Sequence, residues 1–185
     1  MDQVMYLKFI QHDNLRTLLL NTYPAKLVYI DPHDRFWGVD RAGVGRNKFG
    51  KSLMGVREVL RCHDLGLWPT MPRPDWSAGA RIKHVIEFDG YGEYSGLLCH
   101  SSHSVVYGED LYPTALHLFE ARKFLDHRPD LVDRIRLCEN VEEIPAISAE
   151  LAEFMRRDWS NVALDTVSSH FHPHFVLRMC WLYLY

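Results

Sequence analysis

A chain of 185 residues with 47% hydrophobic and 24% charged residues has the composition of one folded domain, which sets aside an intrinsically disordered polypeptide. At this length about 70% of the unfolded surface can be buried, so neither a disulfide framework nor a metal staple is required. With 21 Lys and Arg against 24 Asp and Glu the net charge is −3, the wrong sign for a general nucleic-acid backbone binder, although the 11 histidines can erase that balance on mild acidification.

In chain order, Asp2 to Asn21 carries Val4, Leu7, Leu15, Leu18 and Leu19 at helical spacings, with Asp13 or Asn14 as a restart point and Pro24 as the stop. Lys26–Ile30 (KLVYI) reads as a short strand closed by Asp31-Pro32. A glycine- and charge-rich loop follows to Gly50, then a helix marked by Leu53, Val56 and Leu60. Residues 62–83 hold Pro69, Pro72 and Pro74 with Trp68 and Trp76 between or beside them, and read as a connector pinned to the surface. His84–Phe88 and Ser104–Tyr107 are strand candidates. Tyr112-Pro113-Thr114 opens a helix with Thr114 as cap and Leu116, Phe119 and Phe124 on its apolar side. Asp130–Cys138 and Ser148–Arg157 are read as two more helices, and Asp158 or Ser160 caps a last one toward Val167. Helices around a few short strands give an α+β, mainly helical single domain.

Cys62, Cys99, Cys138 and Cys180 are scattered without a C-x-x-C pair, as in a reducing compartment. The amino terminus lacks a signal-peptide pattern, and the apolar stretch Phe175–Tyr185 is too short to span a bilayer. A soluble, cytoplasmic (or nuclear) protein with no membrane partner is the expectation. His100, His103 and His117 lack metal-ligand spacing, so no metal and no cofactor are expected; His170, His172 and His174 alternate in the tail without a reading.

Gly45-Arg-Asn-Lys-Phe-Gly-Lys51-Ser52 satisfies G-x-x-x-x-G-K-S, the phosphate loop of an NTPase. That loop must leave a buried strand directly, and the nearest strand candidate ends well upstream. The alternatives are a glycine-permitted turn before a helix, or an anion site at a helix start assisted by Lys51.

A different pattern covers the same stretch. Asp34-Arg35-Phe36-Trp37-Gly38 and Gly43-x-Gly45-x-Asn47-x-x-Gly50-Lys51-x-Leu53-Met54-x-x-Arg57 resemble the D-x-x-W-G and G-x-G-x-N-x-L-G-K-x-L-M-x-x-R run of the YbiA-like family, also called NADAR. Lys8-Phe9-x-Gln11 with Leu15-Arg16-x-Leu18-Leu19-Leu20-x-Thr22, and Tyr112-Pro113-Thr114-x-x-His117-x-Phe119-x-Ala121-x-Lys123-Phe124, are similar to two further family segments, and Asp158-Trp159 resembles its D-W. In that family the Y-P-T helix comes first and the W-G loop last. Here residues 1–61 resemble the family's later half and 84–166 its earlier half, as in a circular permutation joined through 62–83, while 167–185 match nothing. Halves of two tandem domains are the other explanation of that order.

The resemblance implies hydrolysis of the N-glycosidic bond between a base and a phosphorylated ribose. The substrates it implies are ribosylamino-pyrimidine intermediates of riboflavin biosynthesis or ADP-ribosylated guanine, free or in nucleic acid. A non-catalytic ADP-ribose or nucleotide-binding module is the alternative, and an NTPase a lesser one. The reaction develops positive charge on the ribose, so a carboxylate must stand near C1′. Asp34, Glu120 and Lys123 are the catalytic candidates, with Trp37, Gly38, Asn47, Gly50, Lys51, Arg57 and His117 as substrate contacts. The family glutamate falls on Leu116; Glu120, one turn later on the same helix face, is the candidate substitute. From the residues alone, Lys123 is equally a surface ion-pair partner of Glu120, Asn47 a turn former and Lys51 a solvated lysine.

Overall fold

A computed structural model describes residues 1–66 and 84–163. Most of the connector, with Trp68 and Trp76, and the tail from residue 164, with Cys180 and its three histidines, lie outside the described residues.

The first helical stretch is broken in two. Helix α1 (Asp2–Gln11) and helix α2 (Asp13–Asn21) are separated by His12, whose φ of −132° and ψ of 93° are extended. Strand β1 (Lys26–Tyr29) pairs in parallel with β2 (Val85–Phe88), in the register Lys26↔Val85 through Tyr29↔Phe88. The other edge of β1 is closed by a side chain. Asn47, at φ 48°, accepts a hydrogen bond on Oδ1 from the Tyr29 N–H (3.0 Å) and donates from Nδ2 to the Leu27 carbonyl (2.8 Å). Asparagine tolerates that left-handed conformation better than most residues, and its amide mimics one rung of a strand. Val39 continues the edge, donating to the Tyr29 carbonyl and accepting from the Asp31 N–H.

Helix α3 (Lys48–Asp64) starts at once after Asn47 and lies on β1. Gly50 makes that approach possible: a Cβ there would sit 2.4 Å from the Leu27 carbonyl oxygen and 2.5 Å from Asn47 Oδ1. The hairpin of β3 (Val105–Tyr107) and β4 (Asp110–Tyr112) turns through Gly108 at φ 64°, a conformation favoured by glycine. Beyond it come α4 (Ala115–Ala121), α5 (Pro129–Arg136), α6 (Ile144–Glu150) and the short α7 (Trp159–Val162).

The fold is α+β and dominated by helices. One buried cluster takes Phe9, Leu19, Leu53 and Leu60 from the first described segment and Leu97, Leu118 and Phe124 from the second. Polar bonds cross the same boundary. Lys8 Nζ donates to the carbonyls of Gly96 (2.7 Å) and Leu98 (2.6 Å) and to Ser101 Oγ (2.6 Å). The Gln11 amide exchanges two bonds with the Val106 backbone, at 2.9 and 2.8 Å. The Met1 backbone nitrogen donates to the Ala163 carbonyl at 2.9 Å, so α1 begins where α7 ends.

Two sequence expectations shift. The helix expected over Ser148–Arg157 instead occupies Ile144–Glu150 and yields to a 3₁₀ turn at Ala152–Phe154. Pro145 explains the earlier start, since its missing N–H costs nothing in a first turn. Asp110–Tyr112, read only as the lead into a helix, is a strand because the hairpin turn pairs it with Val105–Tyr107.

Candidate active site

The carboxyl ends of β1 and β2 carry the residues of chemical interest. After β1 the chain is pinned by its own acids: Asp31 Oδ1 accepts from the N–H groups of His33 (2.9 Å) and Asp34 (3.1 Å), and Asp34 Oδ1 from those of Phe36 (2.9 Å) and Trp37 (3.0 Å). These bonds fix the loop that presents Trp37. Gly38 is needed beside it, because a Cβ there would lie 2.7 Å from that of Asp31.

Trp37 meets α4 edge-on through Phe119, with ring centroids 6.0 Å apart, and Phe119 in turn packs on Trp159 of α7 at 5.2 Å. Beside Phe119, the Glu120 carboxylate forms an ion pair with the Lys123 ammonium, which lies two residues past the end of α4. Lys123 Nζ also donates to Ser148 Oγ of α6 (2.9 Å) and stands 5.6 Å from the Trp159 ring centroid. Only 9% of the Glu120 side chain and 17% of Lys123 is exposed, so this is a partly desolvated pair and not a surface one. Leu116, where the resemblance places a glutamate, donates its N–H to the Cys99 carbonyl. Burial raises the Cys99 thiol to about 11, against the opposing charge of Lys8 and with a smaller contribution from the Glu120 charge.

Burial is also the main cause of the raised Tyr29 phenol, reinforced by Asp31, Cys99 and a hydrogen bond with Asp31. Tyr29 packs between Phe49 and Phe88, at 5.3 and 5.6 Å, and stays a neutral donor. Sequence reasoning missed Tyr29, Ser148 and Trp159 as parts of this neighbourhood. Trp159 alone had a signal, the Asp-Trp step; the other two needed the packing of distant elements.

Of the residues named from the sequence, Trp37 is linked through Phe119 and Trp159 to Lys123 and its partner Glu120, while Asp34 and Gly38 shape the loop that carries Trp37. The others are placed elsewhere. Asn47 is 5% exposed with both ends of its amide engaged on β1, and Gly50 serves the α3–β1 contact. His117 is 2% exposed and spends Nδ1 on Thr114 Oγ1 and Nε2 on the Cys138 carbonyl, both at 2.9 Å. Arg57 is fully buried, donates to Thr22 Oγ1 (2.7 Å) and faces the Tyr23 ring, with Nε and Nη2 unpartnered. Lys51 is exposed on α3. The phosphate-loop geometry does not form: Gly50, Lys51 and Ser52 are already helical, no strand enters the loop, and Ser52 Oγ bonds Asp2 Oδ1 at 2.5 Å. Among the described residues no group of three or more His, Cys, Asp and Glu could hold a metal ion, and no helix is long and apolar enough to cross a membrane.

Burial lowers the pKa values of His100, His103 and His117. An unfolded histidine titrates near 6.5, so below that pH the unfolded chain binds protons that the folded chain refuses. The share of stability these histidines contribute is therefore full above about pH 7 and falls as the pH drops through about 6.5. Melting at pH 7.5 and 5.5 checks this; a melting temperature unchanged or raised at 5.5 contradicts it.

The geometry defines an α+β domain with an aromatic wall beside a half-hidden carboxylate–ammonium pair. Residues 1–61 match the family model of the NADAR domain. Over 60 residues it is 47% identical to N-glycosidase YbiA of Escherichia coli (strain K12), covering 32% of this chain and 38% of the relative. It is 41% identical over 61 residues to N-glycosidase Npun_R5314 of Nostoc punctiforme (33% of this chain and 39% of that one). It is 42% identical over 59 residues to the chloroplastic riboflavin biosynthesis protein PYRR of Arabidopsis thaliana (30% of this chain and 10% of that one). The matched stretch therefore spans well under half of these relatives. No solved structure matches the chain.

Proposed function

We propose that this domain hydrolyses the N-glycosidic bond between a heterocyclic base and a phosphorylated ribose, in a ribosylamino-pyrimidine or an ADP-ribosylated guanine. The observation that carries the reading is the Glu120–Lys123–Ser148 cluster beside the Trp37–Phe119–Trp159 wall. N-glycosidase relatives of the first 61 residues support it from a separate direction.

In the reaction the C1′–N bond breaks, its electron pair leaves with the base, and water oxygen bonds to C1′. Glu120, paired with Lys123, stabilises the positive ribose and takes a proton from the water. Lys123 supplies a proton or a hydrogen bond to the departing nitrogen. Asp34 has one carboxylate oxygen committed to backbone N–H groups, and the other is the second negative charge facing the sugar. Trp37 and Trp159 offer flat surfaces for the ribose or base.

The domain is further read as one unit with its two parts in exchanged order. The shared core and the 2.9 Å contact from the Met1 nitrogen to the Ala163 carbonyl favour this over halves of two tandem domains.

Incubation with a ribosylamino-uracil phosphate and with ADP-ribosylated guanine nucleic acid, followed by chromatography for free base, tests the activity. Release of base from one of them is expected. Binding of ADP-ribose without release from either replaces the reading by a binding module, which is the outcome Leu116 favours. A chain rebuilt with residues 84–166 ahead of 1–66 should keep the fold and the same product; failure to fold overturns the exchanged order.

A further inference from the structure

Six residues between β2 and the 3₁₀ turn at Ser95–Leu97 have no role in the mechanism above: Asp89-Gly-Tyr-Gly-Glu-Tyr94. Both ends of this segment are anchored. Phe88 is 4% exposed, and its carbonyl receives the Ile30 N–H at 2.9 Å; on the far side the Gly96 carbonyl receives Lys8. Between the anchors Asp89 to Glu93 are exposed and carry local bonds, from the Tyr91 N–H to Asp89 Oδ1 and from Ser95 to the Gly92 carbonyl, while Tyr94 packs against the core. Nothing lies within 4 Å of a Cβ built on Gly90 or Gly92, and Gly92 has φ 77°. At the middle sits Tyr91, 85% exposed, the most exposed large hydrophobic side chain of the described residues.

Single exposed aromatics are common and by themselves mean little. Position distinguishes this one. The parallel pairing of β1 and β2 sets the root of the segment beside Ile30 and Asp31, the start of the loop that carries Asp34 and Trp37. Ligands of parallel strands bind outside their carboxyl ends, where both loops emerge. Three residues of extended chain reach about 10 Å from Phe88, enough to bring a tyrosine ring over that loop. The flanking glycines supply the backbone freedom such a swing requires.

We infer that Asp89–Glu93 is an aromatic flap and that Tyr91 stacks on the base of the bound phosphorylated ribonucleoside, opposite the wall formed by Trp37. The flap thus reads the flat base and makes no contact with the sugar phosphate. This rests on the proposed site but not on its turnover.

Calorimetric titration with ADP-ribose and with ribose 5-phosphate, on the wild-type chain, Tyr91→Ala and Tyr91→Phe, tests it. Tyr91→Ala should weaken ADP-ribose by about tenfold or more, because a stacked base is lost. Tyr91→Phe should retain the wild-type affinity, and ribose 5-phosphate should bind all three alike. Equal affinities of wild type and Tyr91→Ala for ADP-ribose overturn the flap, as does an equal loss for both ligands or no binding of either to the wild type. Tyr91-dependent binding without base release upholds the flap and removes the hydrolase reading. Base release with no dependence on Tyr91 does the reverse.

Discussion

Glu120→Gln is expected to lower the rate of base release by about 10²- to 10⁴-fold, with the melting temperature close to that of the wild type. Glutamine keeps the shape of the side chain and an oxygen for the Lys123 ammonium, which also holds Ser148, so the packing of α4 against α6 survives. What disappears is the negative charge and the capacity to accept a proton. The position matters because Leu116, one turn earlier, carries no charge and is tied only through its backbone to Cys99. If Glu120 has taken over the work of a carboxylate at that turn, no other carboxylate on α4 replaces it. The readout is steady-state kinetics of base release on the substrate that the wild type cleaves. An unchanged kcat for Glu120→Gln removes Glu120 from the chemistry and leaves Asp34, on the loop that carries Trp37, as the remaining candidate carboxylate. Asp34 is harder to test cleanly, since its Oδ1 also orders the backbone at Phe36 and Trp37.

The first half of the chain was legible where local signals agree with the final packing. Periodic leucines marked α1 and α2, β-branched and aromatic residues marked β1, and Thr114 caps α4 by accepting from the His117 N–H. The site was legible in fragments. Trp37, Glu120 and Lys123 stood out as residue types, and Phe119 and Trp159 link the first to the other two; Asn47 and Gly50 stood out as well, but for a different reason. In sequence, an asparagine and a glycine before a helix read as a phosphate turn. In the fold they let α3 lie directly on β1, one by substituting for a strand partner and the other by having no side chain. No periodicity distinguishes these uses, because the deciding contact is with Leu27, 20 residues upstream of Asn47.

Lys8 was the least legible residue of all, and it supplies the largest expected effect on stability. On α1 it is one polar residue of a helix; its three acceptors lie 88 to 93 residues away. The side chain is fully buried, and burial lowers its pKa to about 7. An ammonium can donate to all three acceptors at once, having three N–H groups where the neutral amine has two. The interaction therefore opposes the cost of burial and fixes the segment from Gly96 to Ser101 against α1. Lys8→Met keeps most of the hydrocarbon stem but removes three charge-assisted hydrogen bonds, leaving the Gly96 carbonyl to Ser101 Oγ, the Leu98 carbonyl to the Ser101 N–H and the Ser101 hydroxyl to His103. At about 1.5–3 kcal/mol for each hydrogen bond to a charged group, and with the ammonium's desolvation removed in return, a net loss of about 3 kcal/mol is expected. For a domain of this length that lowers the melting temperature by about 6–12 °C. Lys8→Arg should not restore it, since a planar guanidinium cannot direct three donors from one atom. Chemical denaturation of the three proteins measures the difference. A Lys8→Met chain within about 1 kcal/mol of wild type shows that this crossing adds little to the union of the two segments, leaving the apolar cluster of Phe9, Leu53, Leu97 and Phe124 to hold them.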